Sequence, residues 1–170
     1  MKLTITICSL LLVPILFTAS AQADSITAAQ RFEDIKALAG KWRGYTDDNK
    51  KEILDVEFKL LSHGSAVVQI MMAGTNTEML RVYNRDGDKV MLTHYCSLGN
   101  QSHMAAAPTT DKKQFNFVFV EGTNFTTKDD MHLHNVSLTI KNDKELLETY
   151  EMFDAGFKTD SGKLTLKRVN

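Results

Sequence analysis

The chain has 170 residues, with 20 Lys and Arg against 21 Asp and Glu and a formal net charge of −1. Charges this evenly matched, with no Lys/Arg block interleaved with aromatics, exclude the electrostatic footprint of a nucleic-acid binder. Hydrophobic residues make up 43% of the chain, enough for the single core that is normal at ~100–150 residues.

Lys2 precedes an almost uniformly apolar run over residues 3–17, and Thr18-Ala19-Ser20-Ala21-Gln22-Ala23 ends in the small-x-small pattern of a signal-peptidase site. A signal peptide over 1–23 and a single domain over 24–170 are expected, with a periplasmic or secreted address. The apolar run is shorter than the ~20 residues a spanning helix needs, and Pro14 interrupts it, so no stable membrane insertion is expected. Cys8 lies inside that run, which leaves Cys96 alone in 24–170. An intramolecular disulfide is then impossible, and stability has to come from packing.

Past the leader, Ile26, Ala29, Phe32, Ile35 and Leu38 fall on one face at helical period. Asp24 or Ser25 is placed to cap this short helix and Gly40 to end it. From there the period changes to two. Strands are predicted at Gly40-Lys41-Trp42-Arg43-Gly44-Tyr45, where Leu54, Val56, Phe58 and Leu60 alternate with charges, and over residues 66–72 and 78–84. Asp86-Gly87 marks a tight hairpin, because Gly supplies positive φ without strain. Strands follow over 90–96 and 101–107, ended by Pro108, and through Phe115, Phe117 and Phe119. A long loop is expected over 121–130, then strands over 131–141, 145–153 and 163–169, with Gly156 and Gly162 punctuating the last connection. About ten strands joined by short turns predict an all-β fold, an antiparallel up-and-down barrel with a short N-terminal helix. Closing such a sheet removes its edges.

Gly40-Lys41-Trp42 resembles the opening of calycin barrels, the lipocalin-like superfamily. The resemblance implies that a basic residue in the last strand, here Arg168, packs over the indole of Trp42. More of the chain is similar to a family of bacterial exported β-barrel proteins of unknown function. That similarity rests on Leu38-Ala39-Gly40-Lys41-Trp42, Gly64-Ser65-Ala66-Val67-Val68, Leu92-Thr93-His94-Tyr95-Cys96, Gly99-Asn100-Gln101, Gly122-Thr123-Asn124 and His132-Leu133-His134. It implies a fold and export, and carries no reaction or ligand.

Strand parity puts Val90, Leu92, His94 and Cys96 on one face, and His132 and His134 on another with Val136, Leu138 and Ile140. Both read as interior. His94, Cys96, His132 and His134 are then expected to project into the barrel, with Asn100, Gln101 and Asn124 on loops reaching one mouth. This set predicts a pocket for a small, lipophilic molecule, oriented by these polar groups. A His-x-His beside a third His or Cys also permits a metal site, and a buried His near Met71, Met72 or Met104 permits haem. Neither is specified by a motif, so no metal site is assigned and the cofactor is left open. His94 and Cys96 lie about 7 Å apart along one strand face, too far for a nucleophile–base pair. No catalytic residue is assigned. The rival readings are a metal-dependent or hydrolytic enzyme using the same four residues, and a filled barrel that serves structure or protein interaction.

Overall fold

The computed structural model describes residues 26–45, 51–127 and 129–169. The leader read over 1–23 lies outside them, as do Asp24 and Ser25. A helix, α1 (Ala28–Lys36), precedes ten strands: β1 (Gly40–Tyr45), β2 (Glu52–Leu61), β3 (Ala66–Met71), β4 (Met79–Asp86), β5 (Lys89–Tyr95), β6 (Gln101–Ala106), β7 (Gln114–Thr123), β8 (His132–Asn142), β9 (Glu145–Asp154) and β10 (Phe157–Arg168). Each strand pairs antiparallel with its chain neighbours, and β1 also pairs with β10, so the sheet is a closed barrel.

Thr27 caps α1. Its hydroxyl accepts from the Gln30 N–H at 3.2 Å, and the Gln30 side-chain oxygen accepts from the Thr27 N–H at 3.1 Å, a reciprocal capping box. Phe32, Ile35 and the following Leu38 are buried. Arg31 fastens the helix to the barrel wall, donating to the carbonyls of Ala107 at 3.0 Å and Gln114 at 3.3 Å while its guanidinium lies 4.7 Å above the Phe115 ring.

Up-and-down topology sends alternate connections to opposite ends. The helix shares its end with the β2–β3, β4–β5, β6–β7 and β8–β9 connections, and the β3–β4, β5–β6 and β9–β10 connections lie at the opposite mouth with the described residues of the β7–β8 connection. The interior is layered between them. Nearest the helix, Trp42, Phe58, Tyr83, Phe117 and Phe115 form a chain of ring contacts with successive centroids 6.3, 6.5, 5.5 and 6.3 Å apart. Edge-to-face and offset contacts of this kind add to the burial of large apolar area. The next layer toward the mouth is polar, and the one beyond it is rich in methionine.

The closed end is tied by Trp42 and Arg168. The indole Nε1–H donates to the Leu38 carbonyl at 2.8 Å, and the Arg168 guanidinium stands 4.3 Å over the ring. Arg168 also donates to the carbonyls of Ala37, Ala39 and Asp143 at 2.9, 2.7 and 2.7 Å, which joins the helix end, β1 and the β8–β9 turn through one side chain. Gly40 makes the approach possible. Its φ is +135°, and a Cβ there would stand 2.7 Å from Arg168 Nη1. Gly40→Ala is therefore expected to cost about 1–3 kcal/mol of stability, read as a lower thermal midpoint.

Two expectations about the chain's second half need correction. β7 continues through Thr123, into the stretch read as a loop over 121–130. β10 begins at Phe157, six residues earlier than residue 163. The reason lies in the two glycines: Gly156, at φ +80°, turns the hairpin, whereas Gly162 sits within the strand opposite Tyr150, whose ring occupies the space a Cβ would take.

Candidate functional site

Three inward positions on adjacent strands carry polar side chains in register: Gln69 on β3 pairs with Arg81 on β4, and Arg81 pairs with His94 on β5. Ser102 on β6 continues the row opposite His94. Glu148 reaches this row from β9. Its Oε1 accepts from Arg81 Nη1 at 2.6 Å and its Oε2 from Gln69 Nε2 at 2.9 Å. Gln69 Oε1 in turn accepts from the Tyr83 hydroxyl at 2.6 Å and from Arg81 at 3.3 Å. Arg81 is 4% and Glu148 1% exposed. At that burial each charge is tolerable only because the other is present.

This polar layer is the floor of a cavity of about 420 Å³ that opens at the end away from α1. Arg81, His94 and Glu148 line its base, and Met71, Met72, Met79, Met131 and Met152 line its wall with Leu54, Leu133 and Leu164. Met71 and Met79 are direct cross-strand partners. Unbranched thioethers adapt to irregular apolar shapes, so a wall of this kind suits an apolar occupant better than a fixed one. Ile53, Leu98 and Met131, also in the lining, are more than a third exposed and form an apolar rim.

His94 is 2% exposed, and its Nδ1 has no hydrogen-bond partner among the described residues; the same holds for Arg81 Nε and Ser102 Oγ. Burial, then the nearby Arg81 charge, lowers the His94 pKa to about 3. The imidazole is neutral at physiological pH. Burial acts against the Arg81 charge, but Glu148 and Tyr83 together outweigh it and the pKa is raised.

The seven side chains expected to form the pocket part into three groups. His94 and Cys96 line the cavity. Asn100, Gln101 and Asn124 instead brace the turn at its lip. Asn100 Nδ2 donates to the Met131 carbonyl at 2.8 Å, and Gln101 Nε2 and Asn124 Nδ2 both donate to the Gly99 carbonyl, at 3.0 and 2.7 Å. The turn is closed by Cys96 N–H to Asn100 O at 3.0 Å and Gly99 N–H to Cys96 O at 2.9 Å, which holds Ser97 and Leu98 at the mouth.

His132 and His134 are not among the residues lining the cavity. A register shift between Leu133 and Asn135 defeats simple parity: Leu133 pairs with Met152 and Val136 with Tyr150, both cavity-lining, whereas His132 pairs with Phe153 on the opposite face. The two imidazoles pack with Phe119, Phe125 and Phe153 where β7–β8 pairing ends, with the His134 ring 3.9 Å from Phe153 and the His132 ring 4.5 Å from Phe119. His132 Nδ1–H donates to the Asp130 carbonyl at 2.7 Å, and its Nε2 shares a hydrogen bond with His134 Nδ1 at 2.9 Å. Burial, then the neighbouring His132, lowers the His134 pKa. Among the described residues no group of three or more His, Cys, Asp or Glu side chains is disposed to hold a metal ion.

A larger concavity, about 680 Å³, lies over β7 to β10. The side chains that point outward there bind one another: Asn116 Oδ1 accepts from Ser137 Oγ at 2.8 Å, and Glu151 accepts from Asn135 at 2.7 Å and Lys158 at 3.2 Å. That surface has the chemistry of a solvated sheet face.

No protein-family model matches the chain, and no curated protein matches it significantly. Among solved structures it is similar to a protein of unknown function from the DUF3598 family of Nostoc punctiforme, with a TM-score of 0.52 and 12% identity over 79% of this chain. The chain covers 49% of that protein, about half its length. At this identity the likeness is one of fold.

Proposed function

We propose that the protein is an exported, calycin-like barrel that binds a small lipophilic molecule in its interior. The observation that carries this reading is the cavity of about 420 Å³, walled by methionines and leucines above a polar floor and open at one end. Its size falls within the range of small-molecule sites, as does its pattern of apolar walls with a few convergent polar groups. The apolar wall supplies affinity and His94 supplies orientation. The Gly40-Lys41-Trp42 opening with Arg168 over the indole supports a calycin-like ancestry, and the leader read over 1–23 supports export to the periplasm or beyond.

Native mass spectrometry of the protein purified from its own compartment, followed by organic extraction, tests this. The expected result is a bound small molecule that is lost when Met79→Lys places a charge in the wall. Protein that is empty as isolated and also takes up no apolar probe in solution would sink the reading.

A further inference from the structure

We propose that the cavity selects a ligand whose buried end is polar but uncharged, such as an alcohol, ester or amide, and discriminates against the carboxylate or ammonium of the same chain length. This deepens the lipophilic-ligand reading and rests on it.

The argument is one of charge balance at the floor. Arg81 and Glu148 lie 2.6 Å apart, and each is almost wholly buried. Both Glu148 oxygens are committed, one to Arg81 and one to Gln69, and the Gln69 carbonyl oxygen is committed to Tyr83 and Arg81. The network carries no net charge, and Arg81 Nε keeps one buried N–H without a partner among the described residues. A ligand carboxylate at the floor would find the Arg81 charge already balanced by Glu148 and would lie beside that carboxylate, and a ligand ammonium would meet the Arg81 charge. Either brings an uncompensated charge into a site from which water is largely removed, the most unfavourable kind of burial.

What the floor still offers suits a neutral group. His94 lines the cavity, carries no charge at neutral pH and has a ring nitrogen without a partner. A neutral imidazole has one donor and one acceptor nitrogen, which matches a hydroxyl, ester or amide. Tyr150 and Ser97, also in the lining, add hydroxyls higher on the wall. At the mouth the exposed Asp160 carboxylate adds a further term against an anionic head.

The test is a matched panel on the purified protein near neutral pH: decanol, methyl decanoate, decanoate and decylammonium, each measured by displacement of an apolar fluorophore. Decanol and methyl decanoate are expected to bind about tenfold or more tightly than either ion. In Glu148→Gln, which leaves Arg81 without its counter-charge, decanoate is expected to move to the top of the order. Replacing both members, Arg81→Met with Glu148→Leu, keeps the floor uncharged and keeps the ions at the bottom. Decanoate binding the wild type as well as decanol overturns the inference and leaves the lipophilic-ligand reading intact. So does a folded Glu148→Gln protein with the wild-type order. If none of the four probes displaces the fluorophore, the lipophilic-ligand reading fails, and the inference with it.

Discussion

Glu148→Ala is expected to lower the free energy of unfolding by about 3–5 kcal/mol, seen as a reduced urea midpoint at unchanged slope. Two groups lose their partner at once. Arg81, 4% exposed, keeps a full charge beside the barrel's aromatic layer, and Gln69, fully buried, loses the acceptor for its amide. Leaving a buried charge unpaired costs far more than the pair contributes, because the desolvation penalty persists after the attraction is gone. The double variant Arg81→Met with Glu148→Leu separates those terms. It removes both charges and fills similar volume, so the remaining loss is the acceptor of the buried Gln69 amide, and it is expected to cost about 1–3 kcal/mol, less than Glu148→Ala. If Glu148→Ala costs no more than the double variant, the pair is not the buried, mutually dependent unit described above.

That result bears on why the pair exists at all. Buried ion pairs seldom stabilise a fold more than well-packed apolar residues of the same volume, so the pair is better explained by the cavity it floors than by stability. The pair was readable in the sequence, though by a different rule from the one applied to the histidines. Met79, Arg81 and Tyr83 alternate on one strand, and Leu146, Glu148, Tyr150 and Met152 on another. Each apolar face thus carries a single charge, of opposite sign. Complementary charges on two buried faces are a stronger pointer to a shared interior than a His-x-His, because a lone buried charge is so costly.

The histidines were misplaced for a reason that strand patterns cannot show. Period-two parity holds only while the ladder is regular, and one extra residue between Leu133 and Asn135 turns His132 and His134 away from the cavity that Leu133 lines and the core that Val136 enters. Parity worked for His94 and Cys96, where β4–β5 and β5–β6 pair without a shift. The closed all-β barrel with its short helix was legible throughout. Its turns depend on short-range chemistry, and its strands on alternation repeated many times over. Rim bracing by Asn100, Gln101 and Asn124 was not legible, since a loop amide reads the same whether it meets a ligand or a neighbouring carbonyl.

His94 gives the second large effect, in the pH dependence of stability. Its folded pKa is lowered to about 3 from an ordinary value of 6.5. Above 6.5 the ring is neutral in both the folded and unfolded states, and the full stability is present. As pH falls below 6.5 the unfolded chain takes up a proton that the folded barrel refuses, so stability declines by about 1.4 kcal/mol per pH unit, levelling only near the folded pKa. Between pH ~7 and pH ~5 this group alone is expected to remove about 2 kcal/mol. His134, whose pKa is also lowered, acts in the same direction. The lowered carboxyls of Asp130 and Glu151 enter only at still lower pH. Comparing unfolding of the wild type with His94→Gln over this range isolates the His94 contribution, since the glutamine variant keeps every other titrating group. A flatter profile for His94→Gln is the expected result. Parallel profiles would mean that the imidazole reaches water or a proton-stabilising partner in the folded state, and the neutral floor on which ligand selection depends would lose one of its members.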